Sequence, residues 1–99
     1  ILKAASIIAL EHHEKWDGTG YPRALKGKDI HIYGRITAIC DVFDALGAKR
    51  SYKESWPIEK VLKTIKEQSG IHFDPELVDL FLNNIDEFLS IRGQFDSFD

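Results

Sequence analysis

The residues with the most chemistry in them are His12 and His13, adjacent in the stretch "HHEKWDGTGYP". Imidazole nitrogens ligate Fe, Mn and Zn, and carboxylates complete such sites. A helix over Ile1 to about Lys15 would set successive side chains ~100° apart, so the two rings would point in different directions. That suits two neighbouring ions, or one ion and one substrate, better than a single mononuclear site. A helix end whose histidines meet solvent or bond a neighbour is the alternative. Asp41 is the second candidate. It stands among Thr37, Ala38, Ala45 and Ala48 with Asp44 as the only other charge between Arg35 and Lys49. A carboxylate in such company is costly to bury alone, so it calls for a cation, a basic side chain or a metal, held directly or through one of the metal's own ligands. Asp44, one turn on, is placed to pair with Arg or Lys. Arg50 and Lys53 in "KRSYK" are three apart and would point one way on a helical turn, fit to clamp a phosphate. Ordinary positive charge at a helix C-terminus is the competing reading.

The loop "DGTGYP", residues 17–22, holds no acid, base or nucleophile besides Asp17. Gly18 and Gly20 permit positive φ or close backbone approach, and Tyr21 with Pro22 makes a stiff apolar tip. A turn or a docking surface is expected. Cys40 falls on an expected core stripe and should be inert. His72, in "GIHFDPE", reads as structural, and His31 is assigned no role.

Four helices must position these groups. The first, Ile1 to about Lys15, is apolar nearly all round and should be central. A long Gly-rich loop over 16–33 follows, of the kind that is usually functional. The second helix, about Tyr33 to Ala48, has Ile36, Ile39, Cys40, Phe43 and Leu46 as its core stripe and is expected to be buried on most sides. The third, about Pro57 to Ser69, is amphipathic, with Ile58, Val61, Leu62 and Ile65 facing in, Ser55 or Trp56 capping it and Gly70 ending it. The fourth starts at Asp74 as N-cap and Pro75 at the first helical position, and presents Leu77, Val78, Phe81, Ile85, Phe88 and Leu89 inward. No strand alternation of useful length occurs, so the class is all-α. Residues 1–91 make one unit, and 92–99 read as a frayed tail.

Composition bounds the rest. The 99 residues are 43% hydrophobic and 29% charged, as in a globular chain with a modest core. A net charge of −3 without a basic block argues against a nucleic-acid polymer as partner. A lone cysteine excludes an internal disulfide and fits a reducing compartment, the cytoplasm. No apolar run reaches the roughly 18 residues of a membrane span. The chain has no methionine and opens inside a helical pattern without a capping residue, which predicts a piece of a longer protein. Exposed apolar surface on the Ile1–Leu10 helix, or self-association through it, should follow.

"HHEKWDGTGYP", "GRITAICDVFDAL", "KRSYK" and "GIHFDPELV" occur in an order that resembles the C-terminal half of an HD-GYP domain. That family belongs to the HD superfamily of metal-dependent phosphohydrolases. The resemblance covers residues 1–91 and implies a partial HD-type helical bundle. It implies hydrolysis of the bacterial messenger cyclic di-GMP by metal-activated water, with two or three divalent ions, Fe or Mn, in a complete domain. By position, His12, His13 and Asp41 match metal ligands, and Arg50 and Lys53 match residues that hold substrate phosphates. Gly20, Tyr21 and Pro22 are the signature, in a loop (Asp17 to Pro22) implicated in docking GGDEF-type cyclase partners. Ala24 stands where the family usually has glycine, and His31 and Ser51 where it usually has proline. The His-Asp dyad that names the superfamily lies upstream in its members, and no His-Asp pair occurs here. At most three ligands remain, so the expectation is a parent phosphodiesterase whose 99-residue piece binds metal weakly, if at all, and does not turn over appreciably. The alternative is a non-catalytic signalling module that docks a partner through the loop.

Overall fold

The computed structural model describes residues 1–47 and 55–96, with side chains described as far as residue 91. Arg50, Ser51 and Lys53 therefore lie outside the described residues. Five helices lie among the described residues: α1 (Leu2–Glu11), α2 (Ile32–Gly47), α3 (Ile58–Glu67), α4 (Pro75–Asn83) and α5 (Ile85–Asp96), with a 3-10 turn at Gly27–Asp29. Among the described residues there is no strand, and no helix is long and apolar enough to cross a membrane.

The core lies where α2, α3 and α4 meet. Ala38, Ile39 and Phe43 from α2 pack with Val61 and Ile65 from α3, and with Phe73, Val78 and Phe81 at and along α4. Phe43 and Phe81 meet edge-on, with ring centroids 5.0 Å apart. Val61 and Ile65 are wholly buried, and Ile58 and Leu62 pack beside them, as the amphipathic pattern of α3 requires. Pro57 precedes α3 as its N-cap without a side-chain hydrogen bond, so neither Ser55 nor Trp56 caps it. Asp74 caps α4 as expected. Its Oδ1 accepts from the Glu76 amide at 2.9 Å, and Pro75 opens the helix. The expected fourth helix is two helices. At Asn84 the backbone leaves helical geometry (φ −119°, ψ 23°), and its side-chain amide donates back to the Leu80 carbonyl at 2.8 Å. Such a local bond competes with continuation of the helix.

Two further expectations are corrected. First, α1 is not central. Leu2 is 84% and Leu10 44% exposed, and Glu11 is the helix's one buried residue. The apolar surface expected on Ile1–Leu10 is therefore present. Second, α2 is buried along one side only. Gly34, Ala38, Ile39 and Phe43 face in, while Ile36, Cys40 and Asp41 are exposed. Ile36 and Cys40 instead border a groove of about 380 Å³ shared with Leu77 and Leu80 of α4 and Phe88 of α5. Partial burial and the neighbouring Asp41 charge push the Cys40 thiol pKa up, although the residue is exposed and does not lie in the core stripe expected for it.

Candidate functional site

The helix α1 ends at Glu11, four residues earlier than its pattern suggests, and this shapes the histidine pair. His12 is the C-cap, and its backbone amide and its Nδ1 both donate to the Ile8 carbonyl, the ring nitrogen at 2.7 Å. A carbonyl oxygen only accepts, so Nδ1 carries the proton and Nε2 presents its lone pair when the ring is neutral. A bond of this kind, from the ring nitrogen that does not face the ion, is what fixes tautomer and direction in metal-ligating histidines. His13 lies past the helix, so the 100° divergence does not apply. The two rings sit side by side, with centroids 3.9 Å apart and planes tilted by 42°. The second ring contact of His13 is Tyr21, stacked at 4.8 Å and 21°.

Two glutamates that the motif reading left without a role hold this arrangement. Glu14 is 1% exposed, and its carboxylate accepts from two loop amides, Leu25 on Oε1 and Arg23 on Oε2, each at 2.8 Å. Glu11 accepts from the His31 amide at 2.7 Å and faces the Arg23 guanidinium at 3.4 Å. The two carboxylates flanking the histidines thus fasten the long loop, at Arg23, Leu25 and His31, onto the end of α1. Their signal in the sequence was only position, since carboxylates beside an expected ligand pair also read as solvated charge. His31, at the point where proline is usual for the resembled family, contributes the N–H that Glu11 accepts. A proline could not make that bond.

Gly20 explains the glycine of the signature. A Cβ there would lie 2.5 Å from both the His13 carbonyl oxygen and the Lys15 nitrogen, so no larger residue fits without moving the backbone. Tyr21 then donates its amide to the His13 carbonyl at 3.2 Å. Gly18 turns the chain at φ +86°. Asp17 closes the turn, accepting from the Thr19 hydroxyl at 2.6 Å and its amide at 3.0 Å, which lowers the Asp17 pKa. Trp16 and Asp17 donate their amides to the carbonyls of His72 and Ile71, tying the loop to the α3–α4 connection. His72 stacks on Phe73 at 4.4 Å, and its pKa is lowered chiefly by burial, then by Lys15. Arg35 completes the frame. It donates from Nε to the Ile30 carbonyl and pairs through Nη1 with Asp74 Oδ2 at 2.7 Å, joining the loop's end, α2 and the cap of α4.

The donor chemistry of the pair fits a divalent transition metal: one oriented imidazole with an open Nε2, beside a second exposed imidazole. The third proposed ligand, Asp41, is an exposed residue of α2, not the buried carboxylate that first drew attention to it. It lies seven residues beyond Gly34, whose backbone abuts Glu11, and so on the same helical stripe two turns along. Among the described residues no three His, Cys, Asp or Glu side chains are grouped to hold one ion.

An all-α bundle with a histidine pair braced against a Gly-rich loop defines the class. Residues 1–77 match the HD domain family, and the chain belongs to it. The resemblance carried by the four motif blocks thus stands at the level of family and fold. Over 93 residues the chain is 58% identical to a 3'3'-cGAMP-specific phosphodiesterase 2 of Vibrio cholerae, covering 94% of this chain and 18% of that protein. It is 48% identical over 82 residues to a cyclic di-GMP phosphodiesterase of Thermotoga maritima, covering 83% and 22%. The crystal structure of a V. cholerae cyclic GMP-AMP specific phosphodiesterase, V-cGAP3, superposes with a TM-score of 0.74 at 32% identity, over 89% of this chain and 20% of that one. The chain spans about a fifth of the length of these relatives.

Proposed function

We propose that this chain is the part of a cyclic-dinucleotide phosphodiesterase that supplies the histidine pair of its metal centre. The observation that carries the reading is His12, held by the Ile8 carbonyl with Nε2 open and flanked by His13. The names of the relatives support the substrate class, cyclic di-GMP or 3'3'-cGAMP, and through it a cytoplasmic site of action. In this reading His12, His13 and Asp41 hold Fe or Mn, and Arg50 and Lys53 neutralise the substrate's phosphates. Divalent ions bound there would supply Lewis-acid activation of water toward a phosphodiester. The chain's own contribution is to hold the imidazoles beside a fixed loop through Glu11, Glu14 and Gly20. The 99 residues alone are expected to bind metal weakly and to hydrolyse neither nucleotide appreciably. The test is metal content after loading with Mn²⁺ or Fe²⁺, with chromatography of both cyclic dinucleotides. Loss of bound metal in His12→Ala and in Asp41→Ala is expected, and unchanged content in both would refute the ligand set. Efficient turnover by the chain would refute the expected inactivity.

The second reading, a non-catalytic docking module, rests on one observation: the tip of the signature loop is exposed, with Tyr21 60% accessible. Here the exposed Tyr21 and Pro22 contact a partner, such as a GGDEF-type domain. Capture of such a domain lost in Tyr21→Ala, by a chain that takes up no metal, would select it.

A further inference from the structure

The stack between Tyr21 and His13 joins the loop's signature to a proposed ligand. We propose that Tyr21 is a positioning residue, whose ring holds the His13 imidazole ready for a divalent cation. The inference rests on the reading of His12 and His13 as ligands. The two histidines are oriented by different means. His12 has the carbonyl of Ile8. Among the described residues the His13 ring makes no hydrogen bond, only its two ring contacts, with His12 and Tyr21. An exposed side chain outside a helix, with no such contact, would exchange among its rotamers. His13 is such a residue, exposed and past the end of α1. The loop backbone brings the ring to it from two directions. Gly20 allows an approach that any Cβ would block, and the Tyr21 amide is fixed on the His13 carbonyl itself. The Tyr21 ring is then offset-stacked at 4.8 Å although the residue stays 60% exposed. A residue kept mostly in solvent but laid on one imidazole contributes little to the core and much to that imidazole's direction. Glycine, tyrosine and their register on His13 thereby acquire one purpose, distinct from docking.

The experiment titrates the 99-residue chain with Co²⁺, read by absorption, and records the imidazole ¹H resonances of the metal-free protein by NMR. The variants are Tyr21→Phe, Tyr21→Leu and Tyr21→Ala, with His12→Ala as the ligand control. Loss of an orienting partner costs about 10–100-fold in metal affinity. Tyr21→Ala and Tyr21→Leu should therefore bind Co²⁺ at least about tenfold more weakly, and Tyr21→Phe should remain within about twofold of the unaltered chain. Without metal, removal of the ring should shift the His13 resonances and leave those of His72 in place. Unchanged Co²⁺ affinity in Tyr21→Ala, or unmoved His13 resonances, overturns the positioning role while the ligand reading stands. A Tyr21→Phe as weak as Tyr21→Ala also overturns it, since the hydroxyl rather than the stack would then matter. Weak uptake is what the incomplete ligand set predicts; Co²⁺ in large excess that leaves even the His12 and His13 resonances of the unaltered chain unmoved overturns the ligand reading, and the proposal with it.

Discussion

Replacing Glu14 by glutamine changes one carboxylate oxygen to an NH₂ group and almost nothing in volume. Both oxygens accept backbone amides of the loop at 2.8 Å, and the side chain is 1% exposed. Whichever way the amide turns, one donor faces another. One charge-assisted bond is lost, worth about 1.5–3 kcal/mol, and the buried N–H left unpaired costs about 1–3 kcal/mol more. The expected destabilisation is about 3–5 kcal/mol, a large share of the roughly 5–15 kcal/mol available to a domain. In urea, with a slope of about 1–3 kcal/mol/M for a small protein, the midpoint should fall by about 2 M. Amide hydrogen exchange should show the loss first at Arg23 and Leu25. Glu59→Gln, on the exposed first turn of α3, is the control and should stay within about 0.5 kcal/mol. A Glu14→Gln midpoint within error of the unaltered protein would refute the claim that this carboxylate fastens the loop.

Ala24 sits at φ +53°, a left-handed conformation that costs an L-residue roughly 1–2 kcal/mol. Ala24→Gly should stabilise the protein by about 0.5–1 kcal/mol after the entropy of glycine is counted, and raise Tm by about 2–8 °C in calorimetry. Gly20→Ala should do the reverse and also shift the His13 ring resonances, because its Cβ meets backbone at 2.5 Å on two sides. Asp74→Ala removes the cap of α4, about 1 kcal/mol, and leaves the mostly buried Arg35 unpaired, about 3–5 kcal/mol. Denaturant unfolding should show a loss of about 4–6 kcal/mol, and Asp74→Asn with Arg35→Leu should lose less than the two single changes together. The lowered His72 pKa means that the unfolded chain binds the proton more readily. Its contribution is therefore full above about pH 6.5 and is lost as pH falls through the folded value. The drop in urea midpoint from pH 7.5 to 5.5 should shrink in His72→Gln.

The helical class, the amphipathic face of α3 and the Asp74–Pro75 start of α4 were legible in the sequence. Each rests on local rules, the helical period and capping chemistry, that act within a few residues. The histidine pair and the signature loop were legible as a pattern too. Tertiary structure alone decided how they stand. His12 and His13 face together because α1 stops at Glu11, and it stops where Glu11 and Glu14 reach amides nine to twenty residues further along the chain. No period or spacing encodes such a bond. The exposure of α1, Cys40 and Asp41 was likewise not to be had from composition. An apolar helix is buried only where another surface meets it: α2 meets α1 where Gly34 lies against Glu11, and turns Ala38, Ile39 and Phe43 to α3 and α4. The residues of the site come from the sequence, and their orientation comes from a loop held down by two buried carboxylates.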